Sequence, residues 1–169
     1  VVGTASWLSS NAVWATTPGA YSNVNNGGTD SYILKFDNTG NRIWGTIWGG
    51  NGHDLILDVA VNGNDDVVVL TSTTSTDFEV TADGHQLTQP GSWSKHIGQL
   101  NSSGTTLLYG SYLGTSVLED SYVGSLAYNS GSVYLGMTSS SGSFNSAGIT
   151  STGAYQESSI GGSGRYPVL

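Results

Sequence analysis

The sequence predicts an all-β fold built from repeated units of four short antiparallel strands, and three observations lead there. Gly, Ser, Thr and Asn account for 25, 26, 18 and 12 of the 169 residues, whereas Lys and Arg together number four and there is one Met. Such a chain lacks the straight-chain residues that helices favour. Short apolar runs are bounded throughout by Asn-Gly, Asn-Thr-Gly and Ser-Gly turns, the punctuation of antiparallel hairpins. The pattern also recurs: Gly19-Ala20-Tyr21, Gly84-His85-Gln86 and Gly153-Ala154-Tyr155-Gln156 follow one another at a nearly constant interval.

Taken in order, Val1–Ala5 is a strand matching the second of a unit, because Val2-Gly3-Thr4-Ala5 fits over Leu70–Thr73 and Leu135–Thr138. Tyr32–Phe36 turns through Asp37-Asn38-Thr39-Gly40 into Arg42–Trp48. Leu55–Val61 and Val67–Thr73 flank Asn62-Gly63-Asn64-Asp65-Asp66, where Asn-Gly is a strong hairpin signal. Lys95–Leu100 and Thr105–Leu113 flank Asn101-Ser102-Ser103-Gly104, a turn that also fits an N-glycosylation sequon. Val123–Tyr128 turns through Asn129-Ser130-Gly131 into Val133–Thr138, and Arg165–Leu169 falls where a third strand belongs.

The repeat sets a register. Trp44–Gly49 lies over Tyr109–Gly114 and Leu70 over Leu135 at one common offset, and Ala60-Val61-Asn62 lies over Ala127-Tyr128-Asn129 at a slightly larger one. The chain divides into a partial unit over 1–50, a complete unit over 51–115 and a partial unit over 116–169, opening and stopping in mid-unit. Four strands per unit, repeated at this interval, describe β-propeller blades. About 2.6 units make an incomplete ring, either a fragment or part of an assembly.

Charge removes several classes. The net charge is −8, and Lys35, Arg42, Lys95 and Arg165 are scattered singly, so no basic footprint for nucleic acid exists. No apolar run is long enough for a spanning helix, so no membrane insertion is expected. The absence of Cys removes disulfide and thiolate-metal frameworks. Five Trp and nine Tyr supply apolar area that a solvated tail lacks.

Candidate residues are few. Asp37, and Asp65 with Asp66, lie in oxygen-rich loops of the kind Ca²⁺ favours, although the same residues are what tight turns require. His85 and His96 form no metal spacing but belong to one unit, which allows a joint site. Trp7 and Trp93 sit in long loops, either as platforms for sugars or as pins for their own loops; Trp14 is expected to be buried. Trp44, Trp48, Tyr109, Tyr112, Tyr134 and Tyr155 recur among small residues and read as packing between units. Asp54 with Asp120, and Gly49 with Gly114, recur at fixed places in the unit and read as structural. Catalysis needs an asymmetric constellation. None is visible, so the chain reads as non-enzymatic, without a cofactor other than possible calcium.

Several segments carry a family resemblance: Thr73-Thr74-Ser75-Thr76-Asp77-Phe78-Glu79-Val80-Thr81, Thr17-Pro18-Gly19-Ala20-Tyr21, Gly28-Thr29-Asp30-Ser31-Tyr32-Ile33-Leu34-Lys35-Phe36, Leu108-Tyr109-Gly110-Ser111-Tyr112-Leu113-Gly114 and Val133-Tyr134-Leu135-Gly136-Met137-Thr138. Together they resemble the bacterial SBBP β-propeller repeat. The resemblance implies a non-catalytic structural or interaction module of a secreted or cell-surface bacterial protein. Its partner would be protein, either the remainder of a longer propeller or further copies of itself. The alternative reading, drawn from the loop aromatics, is a glycan-binding propeller, with or without calcium. The middle copy departs from the pattern at Ser94-Lys95-His96 and Asp83-Gly84-His85-Gln86.

Overall fold

The structure, a computed structural model, describes residues 2–6, 14–115, 119–139 and 166–168, with side chains at 14–115 and 123–138. Among the described residues every regular element is a strand, so no helix is long and apolar enough to cross a membrane. The strands are β1 (Val2–Ser6), β2 (Thr29–Phe36), β3 (Arg42–Trp48), β4 (Asp54–Val61), β5 (Val67–Thr73), β6 (Ser94–Leu100), β7 (Leu107–Leu113), β8 (Glu119–Asn129), β9 (Ser132–Ser139) and β10 (Tyr166–Val168). They form three antiparallel meanders: β1-β2-β3, β4-β5-β6-β7 and β8-β9-β10. The all-β antiparallel class and the hairpins read from the sequence hold. The sheets do not close on one another, and β8 carries an irregular stretch between Glu119 and Gly124.

Three hairpin turns use one device. Asp37, Asn62 and Asn101 each follow a strand and accept backbone N–H groups through a side-chain oxygen: Thr39 and Asn41 at 2.9 and 2.8 Å, Asn64 and Asp66 at 2.8 and 3.0 Å, Thr105 at 2.9 Å. Each turn then needs one residue at positive φ, and Gly40, Asp65 and Gly104 take that place at 87°, 68° and 67°. The β8–β9 turn is tighter, with Ser130 and Gly131 both at positive φ, as a two-residue turn of right-handed twist requires.

The sheets stack face to face, and aromatic side chains enter gaps left by glycine. Trp48 of β3 lies on the second sheet, its Nε1 donating to Thr71 Oγ1 at 2.7 Å and its ring against Phe78 and His96. A Cβ on Gly98 would overlap the Trp48 ring, so glycine there creates the slot. Trp44 lies in the same way over Gly104 and donates from Nε1 to the Ser102 carbonyl at 2.9 Å. These indoles join Ile33, Val67, Val69, Leu100 and Tyr112 in the core between the first two sheets. A second core, Val68, Leu70, Ile97 and Leu126 with Leu113, Leu135 and Met137 against them, joins the second sheet to the third.

That second core corrects one register. Leu70 and Leu135 face each other across a single layer, so they are not equivalents in successive units. Side chains alternate along a strand, and a one-residue slip exchanges the faces; Leu135 holds the place of Val69, which faces backward into the first core. The match of Val2–Ala5 to Leu70–Thr73 holds in the ladder: Val2 and Ala5 pair Ile33 and Asp30, as Leu70 and Thr73 pair Ile97 and Ser94.

The loops before β2 and β6 are straps of one design. Thr17 N–H donates to Gly45 O at 3.0 Å and Gly45 N–H to Thr17 Oγ1 at 3.2 Å. In the next unit Thr81 N–H donates to Gly110 O at 3.0 Å and Gly110 N–H to Thr81 Oγ1 at 3.2 Å. Farther along, Ile47 and Tyr112 N–H donate to Ser22 and Gln86 carbonyls at 3.0 and 2.9 Å.

Candidate functional site

At the end of the first two sheets where the straps enter, the connections at 25–29, 49–53 and 74–78 converge on two buried carboxyl groups. Asp54, opening β4, accepts from Gly50 N–H at 2.8 Å, Thr73 Oγ1 at 2.5 Å and Ser75 Oγ at 2.7 Å. Burial pushes its carboxyl up, against those hydrogen bonds. Asp30 of β2 is wholly enclosed, accepts from Asn26 N–H at 3.0 Å through Oδ2, and leaves Oδ1 without a partner among the described residues. Burial, with Asp54 and Asp77 adding like charge, raises it to about 6. Gly49 backs it, since a Cβ there would strike the Asp30 carboxyl at 2.5 Å. Asp77, on the surface of this junction, accepts Asn51 N–H at 2.8 Å, and His53 Nδ1 lies 3.3 Å from Thr29 Oγ1. Asp54 thus ties the connections at 49–53 and 74–78 to the start of β4. Asp120 lies in β8, where only backbone is described. Gly114 follows β7 as Gly49 follows β3, and its carbonyl accepts from Gln86 Nε2 at 3.1 Å.

His96 is fully buried. It stacks on Phe78 with ring centres 4.3 Å apart, meets Tyr112 edge-on, and sets Nε2 3.1 Å from Glu79 O, while Nδ1 has no partner among the described residues. Burial lowers its pKa to about 4, so the ring is neutral and Nε2 carries the proton. His85 lies exposed in the strap before β6. Trp93 is half-buried, and Trp7 lies outside the described residues.

The turn carboxylates have partners. Asp37 accepts from Thr39 and Asn41, and these hydrogen bonds hold it down at about 2. Asp65 pairs with Lys35 Nζ at 3.0 Å, and Asp66 accepts from Asn62 Nδ2 at 2.9 Å and Gln99 Nε2 at 3.2 Å. An open cleft of about 640 Å³ lies beside that pair, lined by Pro18, Ile43, Trp44 and Ser102 among others. Among the described residues no three His, Asp or Glu side chains are placed to hold a metal ion. The Asn101 amide of the sequon is engaged within its turn, donating to Thr105 Oγ1 at 3.1 Å.

What the described residues leave for a partner is sheet face. The rearward face of the first sheet carries Trp14, 55 % exposed, edge-on to Tyr32 at 5.2 Å, above Ala15 and Ile47. Burial of Trp14, expected from its place in the repeat, does not occur. Phe78 holds the same place in the next unit and is 7 % exposed because Trp48 of the preceding sheet covers it; among the described residues no sheet precedes the first to cover Trp14. The forward face of the third sheet shows Tyr134, 59 % exposed, and Val123. Tyr134 therefore packs between no two sheets here, and Tyr155 lies outside the described residues.

Sequence reasoning missed two features. Lys95 is fully buried between sheets, donating to Ser72 Oγ at 3.4 Å, where the first sheet has Ser31. Asp30 is the other. For the straps a signal was available, since Thr17 and Thr81 are spaced as Trp14 and Phe78 are. No protein-family model and no curated protein matches the chain.

Proposed function

We propose that this chain is a non-catalytic scaffold of β-propeller blades, of the SBBP type, working at the surface of a bacterial cell or secreted from it. Its partners are proteins, and they engage the outer faces of the end sheets. One observation carries the reading: each sheet receives its neighbour's side chains on a prepared face, and among the described residues the first and third sheets each keep one such face uncovered. The polar groups support it, because the Asp54 carboxylate, the straps and the hairpin carboxylates are all occupied by the chain's own backbone and side chains. The blade reading is supported by one four-stranded meander between two three-stranded ones and by their shared stacking direction.

Calorimetric titration of the chain with a panel of soluble polysaccharides, with and without Ca²⁺, tests this. The scaffold reading expects no saturable heat. Saturable heat that disappears in Trp93→Ala replaces it with glycan binding through loop aromatics.

A further inference from the structure

We propose that the rearward face of the first sheet is a docking surface for a second copy of this chain, which presents the forward face of its third sheet. The inference rests on the scaffold reading and names its partner. Stacking within the chain is directional: the forward face of one sheet always meets the rearward face of the next. The two faces left uncovered among the described residues are therefore the opposite halves of the same kind of interface. A contact between them is heterologous, with different patches on the two copies.

Their chemistry agrees. The rearward face offers Trp14, Tyr32 and Leu34, and the forward face offers Val123, Ala127 and Tyr134. Arg42 stands at the border of the rearward face, where β3 begins, and its guanidinium donates to the Trp14 carbonyl. On a chain of net charge −8 the centres of both faces carry no ionised side chain, so they come together without desolvating a charge. Their relief agrees as well. Leu34 pairs with Gly45 as Gly98 pairs with Gly110, so the slot that admits the Trp48 indole in the second sheet is filled in the first. A flatter surface results, and among the described side chains the third sheet brings to it a phenol and small aliphatic groups rather than an indole. Exposed Trp and Tyr at the centre of a patch are the usual anchors of such contacts.

Sedimentation velocity of the full chain over a hundredfold concentration range, with Trp14→Glu and Tyr134→Lys, is the test. Both positions are exposed, and near-UV circular dichroism confirms that each variant keeps its fold. The wild type is expected to associate with rising concentration, and each variant to weaken association at least tenfold. Mixing the two variants restores one intact contact and yields a 1:1 dimer that grows no further; Trp14→Phe retains association. A wild type monomeric throughout overturns the proposal, as does association untouched by either variant. Loss in Trp14→Glu with none in Tyr134→Lys means like faces meet and overturns it too. None of these outcomes depends on polysaccharide binding, so failure here and failure of the scaffold reading are separate results.

Discussion

The first and second sheets share a plan to within a residue, yet the same position is solvent-exposed in one and core in the other. Trp14 and Phe78 precede the same strap, face the same way and stand over equivalent strand residues, Tyr32 and His96. Only Phe78 has an indole from a preceding sheet above it. Strand position decides which way a side chain points; a neighbouring sheet decides whether pointing there means burial.

The strongest way to break that comparison is to truncate both aromatic partners. Trp48→Ala removes a fully buried indole and strands Thr71 Oγ1, so a loss of about 3–5 kcal/mol is expected by urea unfolding. Trp14→Ala, at an exposed site, is expected to change stability by about 1 kcal/mol or less. Equal losses would show that the two positions do not differ as described. A second measurement transplants the relief: Gly98→Leu puts into the second sheet what the first already carries at Leu34. Overlap with Trp48 predicts a cost of about 1–3 kcal/mol in urea unfolding, and a red shift of Trp fluorescence as the indole is displaced.

pH sharpens the comparison further. Asp30 holds a raised carboxyl, so the folded state binds protons that the unfolded chain releases; its contribution is full below about pH 4 and is lost as pH rises through 6. His96 has the opposite sign: kept neutral by burial, it contributes fully above its ordinary value of 6.5 and loses this as pH falls toward 4. The two slopes oppose each other across pH 4–6. In Asp30→Asn, which imitates the neutral Ser94 of the second sheet, the melting temperature is expected to rise at pH 7. It then falls more steeply on acidification than in the wild type. A variant whose pH profile parallels the wild type would refute the role given to Asp30. The smallest expected effect is at Asp65→Gly. Relief of positive φ offsets the loss of the exposed Lys35 pair, leaving stability within about 0.5 kcal/mol in thermal melts.

Strands and turns were legible because their causes are local. Asn-Gly, Asn-Thr-Gly and Asn-Ser-Gly dictate where a chain reverses, and the runs between them end within a residue or two of the observed strands except where β2 and β8 begin, three and four residues earlier than expected. Face was less legible than position. Leu70 and Leu135 match in type and spacing, yet alternation puts them on opposite faces, and only the ladder separates one register from the next. The site was least legible. Asp37, Asp65 and Asp66 look the same in a string whether they bind a cation or the neighbouring backbone. The burial of Asp30 and Lys95 comes from sheets brought together by segments distant in the chain. Trp14 shows the remaining gap, since what covers a face is not encoded in the face.

One consequence of the straps concerns how such a chain avoids misassembly. A sheet's outermost strand ordinarily offers free amides and carbonyls as a template for lateral growth into fibrils. In β3 and β7 the groups of Gly45, Ile47, Gly110 and Tyr112 are already taken by the chain's own Thr17, Ser22, Thr81 and Gln86. Recruitment by strand addition is blocked along that border while the broad surfaces stay available. Polymerisation through backbone pairing along β3 or β7 would first require a strap to peel away.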